Sequence, residues 1–386
     1  MCANPAVKIK QNEKNVPLKS RDSALYLRPF GLVHGSTASQ AIISNSGFFL
    51  AGGKIAYTLC EVIQPGGSTG YGATRALSVK ELSAWSEQEG EEINTCVKDY
   101  LEKISSPRKI FSDFPKIFQE KNTPKIMGIV NVTPDSFSDG GKYIAFEDAL
   151  SHSLSLLEHG ADIIDVGGES TRPGAKIVND DEEIERTIPL IKELANRDIV
   201  TSIDSRKSKV IAAALEAGAN IVNDVSALTF DKESVQVVKK KNVPLILMHM
   251  QGNPATMQKS PKYACAPLDI FDYLKERILF CNDHGIDTSR IIVDPGIGFG
   301  KTAEHNVEIL NYLTLFHGLG CCILVGFSRK RFIAQISKDC SEEERLAGSL
   351  SAAIISLNQG VQFLRVHDAF ETKQAISVWN SVIQSV

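Results

Sequence analysis

The chain has 386 residues, 43% of them hydrophobic and 23% charged, enough for two domains or for one large α/β domain with an appendage. Its formal net charge of −4 gives no overall basic field, which argues against nucleic acid or an acidic membrane surface as a partner. The polar, lysine-bearing start from Met1 to Lys14 does not read as a signal peptide, no apolar run reaches the ~20 residues of a membrane helix, and the eight cysteines contain no Cys-x-x-Cys pair, so a cytoplasmic protein with reduced thiols is expected.

In chain order, Phe48 to Thr58 predicts a β-hairpin around Gly52-Gly53, with apolar residues on both flanks. Pro65 to Gly72 reads as a glycine-rich turn. Its Gly66-Gly67-Ser68-Thr69-Gly70 invites a phosphate-loop reading, but no Gly-Lys-Ser/Thr follows. Ser78 to Lys103 predicts one charged helix, opened by a capping box from Ser78 to Glu81. Ser105 to Pro124 contains several breakers and reads as a connector. Residues 1–120 are therefore expected to form a small α+β N-terminal extension, an accessory region of unknown role.

From Lys125 onward, short β-type runs alternate with helical patterns such as Phe146–Glu158 and Asp181–Leu194. The expected strands are Ile126–Asn131, Asp162–Val166, Ile199–Asp204, Asn220–Asp224, Pro244–Met248, Ile291–Asp294, Cys322–Gly326 and Gln362–Val366. Their near-continuous hydrophobicity suits a parallel sheet buried on both faces. Eight such units predict a (β/α)8 TIM barrel over residues 121–386. A doubly wound open sheet is the alternative, weakened by the lack of Gly-x-Gly-x-x-Gly at a first helix.

Polar residues sit where these strands end: Asn131, Asp165, Asp204, Asn223-Asp224, His249, Asp294, Ser328 to Lys330, and Arg365 to His367. A single such Asp is usually a helix cap. Eight strand ends of a barrel converge on one face, so together they describe one polar pocket. Asp204, Asn223 and Asp294 suit a planar nitrogen heterocycle, whose N–H groups need acceptors. Lys330, Arg365 and His367 supply positive charge for an anionic leaving group. Asn131 heads Asn-Val-Thr-Pro-Asp-Ser-Phe, and its amide oxygen could help hold a magnesium ion ligated mainly by water and phosphate. Bland readings stand beside these: Asp204 as a helix cap, Asn223 satisfying loop backbone, Lys330 on a solvated Arg329-Lys330-Arg331 face, and His249 as a packed histidine. No zinc-ligand spacing and no Ser-His-Asp elbow is present in the sequence.

Met127-Gly128-Ile129-Val130-Asn131-Val132-Thr133-Pro134-Asp135-Ser136-Phe137 and Asp165-Val166-Gly167-Gly168-Glu169-Ser170-Thr171-Arg172-Pro173-Gly174 resemble the two signature loops of the dihydropteroate synthase family. The resemblance continues through Ser202 to Ser205, Asn223-Asp224, Met248 to Pro254, Asp294 to Lys301, Ser328 to Lys330 and Arg365 to Asp368, from Lys125 to the C-terminus. It implies a pterin-binding barrel that joins 6-hydroxymethyl-7,8-dihydropterin diphosphate to p-aminobenzoate, releasing diphosphate, with Mg2+ as cofactor and a homodimer as the assembly. By motif position, Asp204, Asn223, Asp294 and Lys330 would hold the pterin. Asn131 would be the magnesium ligand, with Thr171, Arg365 and His367 near the diphosphate. Asp135, Phe137, Arg172 and Pro173 would help form the aminobenzoate pocket, with Phe299, Ser328 and Lys330 on its far side. Asp135 and Lys330 are the expected catalytic residues, in a substitution with carbocation character that two closing loops shield from water.

Ser205 stands where many members carry threonine, and Arg331 where many have a serine that binds the aminobenzoate carboxylate. Arg331 itself or the helix N-terminus could take over that contact. With no insertion near Pro134 to Phe137, sensitivity to sulfonamides that mimic p-aminobenzoate is expected. Competing readings are a methyltetrahydrofolate-binding methyltransferase barrel and a Schiff-base aldolase using Lys330. A pyrophosphokinase fused ahead of the barrel would need more than residues 1–120 supply, and no kinase motif is seen there.

Overall fold

A computed structural model describes residues 25–65, 71–114, 123–132, 142–170, 178–252, 256–337 and 340–384. Four antiparallel strands come first: β1 (Tyr26–Val33), β2 (Phe48–Phe49), β3 (Ala56–Pro65) and β4 (Tyr71–Ser78). β3 is central, with β1 along one edge and β2 and β4 pairing successive stretches of the other. The expected hairpin is there, Phe48 opposite Tyr57 and Phe49 opposite Ala56. Residues 66–70, the glycine-rich stretch between β3 and β4, lie outside the described residues.

Two expectations for this region change. The single helix of Ser78 to Lys103 is two, Val79–Gln88 and Glu91–Ser105, divided at Gly90 with φ 108°, a backbone state that favours glycine. The capping box at its start is formed: Ser78 Oγ accepts from the Glu81 amide, and the Glu81 carboxylate accepts from the Ser78 amide at 2.8 Å. The connector, in turn, carries the short helix Ile110–Asp113. Ile110 is 1% exposed and packs with Phe114 among side chains from inside the barrel.

That barrel is closed and parallel: β5 (Lys125–Asn131), β6 (Ile163–Gly167), β7 (Thr201–Asp204), β8 (Ile221–Asp224), β9 (Leu245–Met248), β10 (Ile291–Asp294), β11 (Cys322–Val325) and β12 (Phe363–Val366), which pairs back with β5. Alternation along each strand sorts its residues. Ile164, Val166, Ile203, Val222, Leu247, Val293, Ile323 and Leu364 point out into the large core under the helices. Met127, Ile163, Ile221, Ile246, Ile292, Cys322, Leu324 and Phe363 fill the lower interior. One step of two residues further along, the interior positions become Asp165, Asn223, Asp294 and Arg365. The barrel is thus apolar below and polar at its C-terminal mouth, and the polarity that marks the site comes from the register itself.

The N-terminal sheet fastens to helix Ala266–Asp283 and to the segment Leu313–Leu319 that leads into β11. Tyr26 donates to Asp272 on helix Ala266–Asp283, its ring edge-on to Phe271 at 5.5 Å, and Tyr100 lies 6.3 Å from the same ring. Thr314 donates to the Pro29 carbonyl at 2.7 Å. Arg108 is buried without a carboxylate partner: it donates to the Lys103 carbonyl at 2.6 Å and to the His317 carbonyl at 3.3 Å, with His317 Nδ1 at 3.2 Å. Burial, aided by Arg108, holds His317 down to about 3, so the ring is neutral. Since arginine can only donate, His317 Nδ1 accepts, and its Nε2–H donates to the Gln359 carbonyl at 2.9 Å.

Candidate active site

At the mouth, Arg365 of β12 reaches across the barrel to β6 and β7. Its Nε donates to Asp165 at 2.6 Å and its Nη2 to Asp204 at 2.7 Å. Asp165, fully buried, also accepts from Asn223 Nδ2 at 3.1 Å. Burial opposes the charge on Arg365, but Asp165 and Asp204 outweigh it and hold the guanidinium firmly protonated. Arg365 Nη1 has no protein partner among the described residues. Burial pushes the Asp204 carboxyl up to about 7, against the pull of Arg365 and helped by the neighbouring Asp165. Asp204 is therefore a capping residue for no helix: the next one, Ser208–Ala217, is preceded by Lys207.

Gly167 lies between two of the predicted site residues. A Cβ on it would stand 3.5 Å from Asn131 Oδ1 and 3.6 Å from Asp204 Cβ, so the missing side chain leaves room around both. Asp224, next to Asn223, faces the other way and is spent on its own turn, accepting from the Ser226 and Leu228 amides at 2.7 and 3.0 Å. Of the Asn223-Asp224 pair, only Asn223 enters the mouth.

The loop after β10 supplies the opposite wall. Asp294 accepts from the Gly296 amide at 2.7 Å, and burial raises its pKa against that bond and Lys330. Gly296 has φ 68°, and a Cβ there would meet the His249 carbonyl oxygen at 1.9 Å, so only glycine fits. Lys330 Nζ lies 4.2 Å over the Phe299 ring, a cation–π contact, rather than on a solvated face. Lys301 closes the loop from behind: its buried Nζ contacts His249 Nδ1 at 2.9 Å, the Phe299 carbonyl at 2.9 Å and the His249 carbonyl at 3.3 Å. Burial drives Lys301 well below the usual lysine range, and burial plus Lys301 does the same to His249. His249 is a packed histidine.

Between β11 and β12, Ser328 Oγ accepts from the His367 amide at 3.1 Å, lies 3.1 Å from His367 Nδ1, and donates to Asp368 at 3.3 Å. Asp368 also receives Arg329 at 2.5 Å, which holds Arg329 at φ 56° and fixes the turn leading to Lys330. The expectation that His367 supplies positive charge is corrected. Burial, with Arg365 and Arg329 nearby, depresses it to about 3, so it is a neutral hydrogen-bonding ring.

Glu169 organises the base of the second signature loop. Its carboxylate takes Arg206 at 3.2 Å and the Val178 amide at 3.1 Å, tying the two flanks of the loop together. Lys207 adds bonds to the Val178 carbonyl at 2.5 Å and to Glu183 at 2.6 Å. Asp135 and Phe137, with Thr171, Arg172 and Pro173, lie outside the described residues. The mouth thus brings together Asn131, Asp204, Asn223, Asp294, Phe299, Lys330 and Arg365. Two participants had been given no role from sequence: Asp165, named only as a polar strand end, and Lys301, the last residue of a motif. Each carried one signal, a charged residue at a strand or motif end, but not the partner that gives it work.

Among the described residues no three His, Cys, Asp or Glu side chains form a metal cage. The donor set still fits a magnesium ion that keeps most of its waters, with a neutral amide oxygen at Asn131 and no competing thiol or imidazole cluster. No helix of the described residues is long and apolar enough to cross a membrane.

A profile of the family described as pterin binding enzyme matches residues 127–367. Dihydropteroate synthase of Escherichia coli (strain K12) is 43% identical over 263 residues, covering 68% of this chain and 93% of the relative. The structure of Xanthomonas albilineans dihydropteroate synthase with 4-aminobenzoic acid superposes with a TM-score of 0.65 at 43% identity, covering 69% of this chain and 94% of that one. Yersinia pestis dihydropteroate synthase with a sulfonamide drug gives a TM-score of 0.65 at 40% identity, with 68% and 95% covered.

Proposed function

The chain belongs to the pterin-binding enzyme family, in its dihydropteroate synthase branch, and on that premise we propose how its residues divide the work. It is a transferase of folate synthesis, condensing 6-hydroxymethyl-7,8-dihydropterin diphosphate with p-aminobenzoate to give 7,8-dihydropteroate and diphosphate. The observation that carries the residue assignment is the ring of acceptors at the mouth, Asp204, Asn223 and Asp294, with Arg365 bound between Asp165 and Asp204.

Asp204, Asn223 and Asp294 take the pterin's ring N–H and amino groups, and Lys330 binds its far edge above Phe299. The raised pKa values of Asp204 and Asp294 reflect buried carboxyls waiting for donors that the ring supplies. Arg365 offers Nη1 to the diphosphate side, and His367 contributes a hydrogen bond rather than a charge. Asn131 would hold a magnesium ion, which would neutralise charge on the diphosphate. Diphosphate leaves ahead of attack, the conjugated pterin delocalises the resulting cation, and the aryl amine then adds. No strong general base is required. Asp135 stabilises the cation, while Thr171, Arg172, Pro173 and Phe137 complete the aminobenzoate side; these five are assigned by motif, lying outside the described residues. Phe299, Ser328 and Lys330 form the far side of that pocket, and Arg331 or the helix N-terminus it opens takes the aminobenzoate carboxylate.

Homodimerisation is part of the proposal. Ile355, Phe370, Val378 and Val382 on helices Leu346–Leu357 and Ala369–Gln384 are exposed apolar side chains suited to a second copy. Residues 1–120 are an accessory region of unknown role, whose described part packs against the barrel 121–386.

The test is a coupled assay of dihydropteroate formation with Asp294→Ala, expected to lose activity by about tenfold to a hundredfold through the pterin KM, as for a lost charged hydrogen bond. Unchanged kinetics would remove Asp294 from the pterin site. Sulfonamides should compete with p-aminobenzoate; normal turnover at high sulfonamide counts against the aminobenzoate pocket as drawn.

A further inference from the structure

We propose that Asp165 is a positioning residue of the pterin site, holding Arg365 and Asn223 in their working orientations from beneath without touching substrate. The inference rests on the assignment of those two residues to the substrate given above.

Three observations converge on it. Asp165 is 0% exposed, on β6 one interior position above the apolar layer that contains Ile163. A carboxylate there would be costly unless paired, and it is paired with both neighbours: Arg365 Nε at 2.6 Å and Asn223 Nδ2 at 3.1 Å share its Oδ2. These two residues come from β12 and β8, on opposite sides of β6 in the ring. Nothing else among the described residues joins them.

The shared oxygen has a consequence for each partner. Asn223 must present its amino group to Asp165, which leaves its amide oxygen on the other side as an acceptor. Arg365 has Nε committed to Asp165 and Nη2 to Asp204, so the planar fork is fixed in rotation and its remaining nitrogen, Nη1, has one direction available. Without the Asp165 carboxylate, the guanidinium would lie wholly on Asp204, and Asp204 would have less acceptor capacity for the pterin. Asn223 would lose the bond that selects between its two flipped orientations.

The test compares Asp165→Asn, Asp165→Ser, Arg365→Lys and the double variant Asp165→Asn/Arg365→Lys, with Ser202→Ala as a control. Ser202 pairs with Asp165 across β6 and β7, yet its buried hydroxyl has no hydrogen-bond partner among the described residues. Steady-state KM for each substrate, kcat and the melting temperature are measured for all five. The expected result for both Asp165 variants is a rise of about tenfold or more in KM for the pterin diphosphate. KM for p-aminobenzoate should stay within about twofold and the melting temperature near that of Ser202→Ala. The double variant should be worse than Arg365→Lys alone but clearly short of the product of the two single effects, because Asp165 acts partly through Arg365 and partly through Asn223. Effects that multiply, an equal rise in both KM values, or failure of both Asp165 variants to fold would overturn the proposal. If Arg365→Lys leaves the pterin KM unchanged, the underlying assignment of Arg365 fails instead.

Discussion

Lys301 Nζ lies 2.9 Å from His249 Nδ1, with both side chains buried behind the loop that carries Asp294 and Phe299. Two basic groups face each other there, Lys301 donating further to the Phe299 and His249 carbonyls and His249 standing edge-on to Tyr273. Burial lowers both pKa values, so the unfolded chain binds protons that the folded site refuses. Stability from this pair is fully present above the ordinary lysine value of 10.5 and declines as pH falls toward the lowered one; His249 adds a further loss below 6.5. Denaturant unfolding of the wild type should therefore show stability rising as pH climbs toward the ordinary lysine value of 10.5. Lys301→Met should flatten that rise. An unchanged slope in the variant would show that Lys301 is charged in the folded state.

Gly296→Ala is expected to be far more damaging than its size suggests. The left-handed backbone alone costs about 1–2 kcal/mol for a residue with a side chain. The added carbon would also fall 1.9 Å from the His249 carbonyl oxygen. Asp294, which accepts from the Gly296 amide, would shift with it. Urea unfolding and the pterin KM should both worsen; a variant with wild-type values for both would mean the loop rearranges freely.

Removing the magnesium should matter through Asn131. Chelation is expected to lower turnover and added magnesium to restore it. Asn131→Ala should raise the magnesium concentration needed for half-maximal rate while leaving p-aminobenzoate KM unchanged. Full activity in chelator would take the ion out of the site.

Ile110→Ala should destabilise the protein by about 2–5 kcal/mol, as for a buried large-to-small change. Its side chain is 1% exposed among interior residues contributed by the barrel strands. Activity per folded molecule should be unaffected, since the apolar layer separates it from the mouth. Deleting residues 1–120 should be worse, because Tyr26, Tyr100 and Ile110 leave together and uncover Phe271. A deleted chain that melts like the full one would show that the barrel seals itself.

The barrel was legible because its strands are short, apolar and regularly spaced, and because a closed parallel sheet forces their ends together. Asp204, Asn223 and Asp294 could be placed at the mouth for that reason alone. What sequence could not give was which of two adjacent polar residues turns inward. Asn223 and Asp224 look equivalent until the interior register of Ile221 separates them by one step. Nor could it give charge state: His367 beside Arg365 reads as a cation, yet burial keeps it neutral. The N-terminal region was least legible. β1 was not anticipated, since its burial comes from contacts with residues hundreds of positions away, and neither was the helix Gly35–Ile43, which packs on the nearby β2 and β3. Gly90 inside the charged stretch was a visible break that periodicity overrode.

Those distant contacts also bear on the order in which the molecule can be made. Thr314 meets Pro29 across 285 positions, Tyr26 meets Asp272 across 246, and Arg108 meets His317 across 209. On the ribosome the N-terminal sheet emerges first, yet the surfaces that cover Tyr26 and take up Arg108 are translated late. It must remain partly uncovered through most of synthesis, with its apolar side open to wrong partners. Long-range closure of this kind slows folding. The sheet, translated ahead of the barrel, is thus among the last parts to reach its final state.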